Sequence, residues 1–220
     1  MKKLVIIHPR DESTSFLDSI WNKGILDYAD DCQIMDVGYS LEEHTAVFEI
    51  LRNLPEGSNV VYLGHGNSFS LKGACGIGFN MEVFFSKQNV QLFENINLLC
   101  LSCKSADFLR PFKYLSYVAF GDLPTHMVEI SGLREQEYNA YKGVDEKVIS
   151  EFRDVIVSIM SNSIYEWMTI GLDSRGLYHR IKIRLMREIG MVLSITTAKS
   201  TEKEALLELL VDMHKELEFR

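Results

Sequence analysis

No uninterrupted apolar run of about 18 residues occurs in this 220-residue chain, so a membrane-spanning helix is not expected. The apolar stretch after Met1-Lys2-Lys3 is only Leu4 to Ile7, too short for a signal-peptide core. Cysteine is scarce. Cys32, Cys75, Cys100 and Cys103 are too few to staple a domain of this size, which predicts a reducing, cytoplasmic setting with thiols available for other work. Proline, at four residues, and glycine, at 14, are too sparse for a collagen-like or low-complexity chain. Positive charge is in deficit: 23 Lys and Arg face 31 Asp and Glu, a formal charge of −8. Such a chain repels a phosphate backbone, so bulk nucleic-acid binding is not expected, nor is a membrane partner.

What is present is a globular composition, 46% hydrophobic and 25% charged, long enough to bury a core. Leu4-Val5-Ile6-Ile7 reads as a strand buried on both faces, followed by a polar turn before Ser13-Thr14-Ser15. Helical spacing through Phe16, Ile20, Ile25, Leu26 and Tyr28 leads to a weaker strand over 33–38. Ser40-Leu41-Glu42-Glu43 opens a helix as a capping box, closed by Pro55 and Gly57. Further strands are predicted over 59–63, 96–101 and 117–120, with a short helix over 105–110. Strands alternating with helices predict a doubly wound α/β sheet over residues 1–142. Residues 143–220 read as a helical C-terminal third, over 144–168, 174–196 and 201–219, packed on that core or forming a small lobe. The segment 174–190 carries Arg175, Arg180, Lys182, Arg184 and Arg187 against Glu188 alone. It reads as a solvated face, or as a dock for an acidic protein or a nucleotide signal.

Two polar turns fall at the carboxyl ends of adjacent predicted strands, where open α/β sheets place their ligands. One is Gly64-His65-Gly66-Asn67; the other is Ser102-Cys103-Lys104-Ser105-Ala106. Nucleophilic cysteine chemistry needs an imidazole to take the thiol proton and donors to hold the oxyanion. His65 and Cys103 supply the first pair. Glycine beside His65 leaves room for a substrate carbonyl and frees the Gly66 N–H, and a helix starting at Cys103 would lower its thiol pKa and add its own N–H.

These residues, Tyr62-Leu63-Gly64-His65-Gly66 with Leu101-Ser102-Cys103-Lys104-Ser105-Ala106, resemble the caspase-like (clan CD) cysteine peptidases, nearest to bacterial CHAT-type and metacaspase-like members. The resemblance implies a caspase-hemoglobinase-like α/β fold, a mostly parallel sheet flanked by helices, over roughly residues 1–125. It implies His65 as general base, Cys103 as nucleophile, an oxyanion hole of Gly66 and Cys103 N–H, and no cofactor or metal. Leu101 stands where metacaspases carry an acidic residue that reads a basic P1 side chain, so Arg or Lys specificity does not carry over by that route. Arg10 and Asp11 after the first strand, with Asp122 after the fifth, are candidate walls of the substrate pocket, with opposite preferences. The implied partners are a protein substrate and an activating protein or small-molecule signal, in an effector of antiviral defence or cell death.

Other readings are weaker. Cys100-Leu101-Ser102-Cys103 spells C-x-x-C, but Cys100 lies inside a predicted strand and no second pair exists to complete a zinc site. Cys32 and Cys75 read as incidental. His44, His126, His179 and His214 have no neighbours at metal-ligand spacing, and Gly73, Gly76 and Gly78 do not make a dinucleotide turn. The alternative of another class is a catalytically silent α/β adaptor that binds a partner protein.

Overall fold

The computed structural model describes residues 4–22, 32–38, 40–75, 81–136, 140–194 and 201–220. In chain order the elements are β1 (Leu4–Pro9), a 3-10 turn (Ser15–Asp18), α1 (Ser19–Asn22), β2 (Cys32–Val37), α2 (Leu41–Arg52) and β3 (Asn59–Leu63). Then come β4 (Gly66–Asn67), β5 (Ser70–Cys75), β6 (Met81–Ser86), β7 (Asn97–Leu101), α3 (Ser105–Leu109) and β8 (Ser116–Ala119). The chain continues with α4 (Met127–Gln136), α5 (Glu146–Ile170), α6 (Ser174–Ser194), α7 (Thr201–Glu216) and β9 (Glu218–Phe219). The first-helix positions Ile25, Leu26 and Tyr28, the glycines Gly76 and Gly78, and residues 195–196 lie outside the described residues.

The chain is an α/β protein whose central sheet runs β2-β1-β3-β7-β8-β9, parallel except for β9. The continuous apolar runs have a simple cause: consecutive strand side chains point to opposite faces, and both faces are covered. Leu4, Ile6, Val61, Leu63, Leu99, Leu101, Val118 and Phe120 join one core, with Phe152, Ile156, Trp167, Leu177, Ile181 and Leu210 from the C-terminal helices. Val5, Ile7, Val60, Tyr62, Leu98, Cys100, Tyr117 and Ala119 face the other way, onto Val47, Leu51, Phe84, Phe85 and Phe108. Each fully buried large aliphatic or Phe side chain contributes about 1.5–3 kcal/mol. The C-terminal helices thus share a core with the sheet.

Two features depart from the sequence reading. The segment between β3 and β7 folds as a small antiparallel sheet, β4-β5-β6, whose Leu71, Phe84 and Phe85 are buried against the second core. The last helix ends at Glu216, three residues short of expectation, because the tail pairs with the otherwise open edge of β8. Tyr117 and Arg220 exchange both backbone bonds at 3.0 and 2.9 Å, Arg110 holds Glu218, and Phe219 packs on Tyr178. An edge strand's unpaired N–H and C=O groups reward this pairing.

Candidate active site

Leu63 of β3 is in register with Leu101 of β7, and His65 and Cys103 each lie two residues beyond that pair. Adjacent parallel strands run about 4.8 Å apart, so the two turns leave the sheet side by side. His65 and Cys103 both line one cavity, with Thr14, Phe16, Ser102 and Glu129 among its walls. At about 30 Å³ it has room for water but not for a peptide side chain.

The His65 turn is held from below. Tyr62, fully buried, shares its one hydroxyl proton between the Lys72 carbonyl and the His65 carbonyl, the latter at 2.9 Å. Lys72 N–H donates to the same His65 carbonyl at 3.0 Å. The next pair, Gly66 and Leu71, is therefore of the type whose N–H groups point away from the partner strand, and the Gly66 N–H is not spent on β5. Glycine is required here by close approach: a Cβ on Gly66 would collide with Ser102 Oγ and stand 3.0 Å from the Cys103 carbonyl. The imidazole is oriented by the turn after β1. Its Nε2 lies 2.7 Å from Ser13 Oγ and 3.3 Å from Asp11 Oδ2.

Cys103 is placed differently from expectation. α3 begins at Ser105, two residues later, and is five residues long. Two N–H groups at its start are already used, Lys104 donating to Gly121 O at 2.7 Å and Ala106 to Phe120 O at 2.8 Å. The sulfur donates instead to Leu123 O at 3.1 Å and approaches Glu129 Oε1 at 3.8 Å. Burial first, and the Glu129 charge second, push the Cys103 thiol well above its ordinary range. A thiol so placed stays protonated at neutral pH, whereas the thiolate is the nucleophilic form. Glu129 is itself fixed: its Oε2 accepts Thr125 N–H at 2.7 Å and His126 N–H at 3.0 Å. Arg153 donates to Thr125 O at 2.6 Å, tying the same segment to α5.

The remaining candidates are occupied elsewhere. Arg10 pairs with Asp36 and reaches Asp18 at 3.5 Å; Asp122 faces Lys104 at 3.6 Å. Neither lines the cavity. Asp11 turns toward His65 instead of standing as a pocket wall. Burial pushes the Cys32 thiol up to about 11 and that of Cys100 to about 12; the side chain of Cys75 lies outside the described residues. His44 is buried and stacked on Phe84, 4.3 Å between ring centres, and His126 Nδ1 accepts Val128 N–H. His179 lies against Tyr178, and burial pushes the pKa of His214 down. Among the described residues no group of three or more His, Cys, Asp or Glu could hold a metal ion, and no helix is long and apolar enough to cross a membrane.

Sequence reading missed Glu129, Ser13 and Tyr62. An Asp-x-Ser-Thr turn is a recognisable local signal for Asp11 and Ser13; Glu129, 26 residues past Cys103 on a weakly amphipathic helix, leaves none. No protein-family model and no curated protein matches this chain.

Proposed function

We propose that this protein is a caspase-like cysteine endopeptidase, with His65 as general base, Cys103 as nucleophile and the N–H groups of Gly66 and Cys103 as the oxyanion hole. What carries the reading is one observation: His65 and Cys103 follow neighbouring parallel strands at matching positions and line a common cavity. In the reaction His65 takes the Cys103 proton, the thiolate adds to a peptide carbonyl, the amine leaves with a proton from His65, and water hydrolyses the thioester.

The conformation described here is a resting one. Turnover requires the Leu123–Glu129 segment to withdraw from the sulfur, which widens the cavity and relieves the burial that keeps the thiol neutral. An activating protein or small-molecule signal suits that step, as the resemblance to regulated bacterial effectors of the CHAT and metacaspase kind implies. A cytoplasmic location belongs to the same reading.

A specific observation favours a second reading. A neutral thiol bonded to Leu123 O is also what a silent α/β adaptor would carry. Incubating a peptide library with wild type and Glu129→Gln, each with and without Cys103→Ala, separates the two. Cys103-dependent new amino termini are expected, with more from Glu129→Gln; identical peptide maps from all four proteins would leave the adaptor.

A further inference from the structure

The turn after β1 determines which nitrogen of His65 is the base. The Asp11 carboxylate accepts Ser13 N–H at 3.0 Å and Thr14 N–H at 3.1 Å, so it acts as an acceptor in this turn. Ser13 Oγ stands 2.7 Å from Asp11 Oδ1, and its single proton goes there, since a carboxylate offers none in return. Toward His65 Nε2, also at 2.7 Å, Ser13 Oγ is then the acceptor. Asp11 Oδ2, 3.3 Å from Nε2, is a second acceptor. With two acceptors facing it, Nε2 carries the hydrogen, and a neutral imidazole so protonated has its lone pair on Nδ1. The Asp11 side chain is 9% exposed and that of His65 19%, so water competes weakly for these bonds.

We infer that Asp11 and Ser13 are positioning residues that hold His65 in its Nε2–H form and make Nδ1 the atom that receives the Cys103 proton. The inferred use rests on the peptidase reading; the tautomer does not. When the S–H bond breaks and the Nδ1–H bond forms, the imidazolium keeps Nε2–H against the Asp11 carboxylate, which stabilises the new charge.

Long-range proton–nitrogen correlation of the imidazole rings in the 15N-labelled full chain reads the tautomer directly, with the His65 signals identified by their loss in His65→Asn. The expected wild-type pattern of the neutral ring is a protonated Nε2 and a bare Nδ1. Ser13→Ala keeps the backbone bonds to Asp11, so it tests the bridge without dissolving the turn. That variant and Asp11→Asn are expected to give mixed tautomers, with Ser13→Thr restoring the wild-type pattern. A wild-type ring protonated at Nδ1, or a pattern unmoved in the Ser13→Ala/Asp11→Asn double variant, overturns the inference.

Labelling of Cys103 by an electrophilic peptide, run in the Glu129→Gln background, is expected to slow by on the order of tenfold to a hundredfold in Ser13→Ala, the scale seen for groups that orient metal-bound imidazoles. The expected tautomer with no labelling in any variant would leave the positioning role intact and remove the peptidase reading. Labelling that depends on His65 but not on Ser13 or Asp11 would do the reverse.

Discussion

The two halves of the site are built to different states of readiness. On the β1–β3 side, the His65 carbonyl is anchored by Tyr62 and Lys72 and its ring by Ser13 and Asp11, so the proposed base is held in place by its own surroundings. On the β7–β8 side, Cys103 is wrapped by Leu123 and Glu129, and burial with a neighbouring carboxylate keeps its thiol neutral. One sheet edge thus holds a fixed imidazole beside a neutral thiol, which in the proposed peptidase are a ready base and a disarmed nucleophile. For the proposed peptidase, the difference places the barrier to activity in the Leu123–Glu129 segment, not in the turn that carries His65.

The largest expected effect comes from reducing that difference at its second cause, the Glu129 charge, while burial stays in place. Glu129→Gln deletes the charge beside Sγ while its amide oxygen can still cap Thr125 or His126 N–H. Thiolate-dependent labelling of Cys103 at neutral pH should rise about tenfold for each pKa unit recovered, as followed by mass spectrometry of the labelled peptide. Gly66→Ala attacks the contact between the halves. Its methyl meets Ser102 Oγ and the Cys103 carbonyl, and overpacking of this kind costs about 1–3 kcal/mol. Denaturant unfolding should show that loss, together with slower labelling in the Glu129→Gln background.

Acid should weaken the base side. His8 ends β1, is fully buried, and bonds the Leu63 carbonyl through Nδ1 at 2.7 Å. Burial, the main cause, pushes its pKa below the ordinary 6.5, so the unfolded chain takes up a proton near that pH before the folded one does. This contribution to stability is complete above about pH 6.5 and declines as pH falls below it. His44, also lowered mainly by burial, acts in the same direction. Thermal unfolding at pH 7.5 and 5.5 should show a lower Tm in acid, with part of the drop absent in His8→Asn. The smallest effect serves as a control. Ser40→Ala removes the α2 cap, in which Glu43 N–H donates to Ser40 Oγ at 3.2 Å, and should cost about 1 kcal/mol. It should leave Cys103 labelling unchanged.

Much of the frame was legible in the chain because its causes are local. Unbroken apolar runs such as Leu4–Ile7 and Val60–Leu63 can satisfy both faces only as inner strands, and Ser40 with Glu43 spells its own cap. Adjacent strand ends then brought His65 and Cys103 to one edge on topology alone. The β4–β6 sheet was hidden by the glycines around Cys75, and β9 by a helical pattern running smoothly through Leu217; both depend on partners distant in sequence. The state of the thiol was hidden for the same reason. A Cys before a short helix reads as activated until the carbonyls of Phe120 and Gly121 are seen to use the helix donors, and nothing near Cys103 announces Glu129.

The most direct measurement is the labelling rate of Cys103 against pH in four proteins: wild type, His65→Ala, Glu129→Gln and the double variant. A ready base beside a latched thiol predicts slow labelling in wild type, faster labelling at neutral pH in Glu129→Gln, and loss of that gain when His65 is also replaced. Equal rates in all four, no faster than those of Cys32, would contradict it.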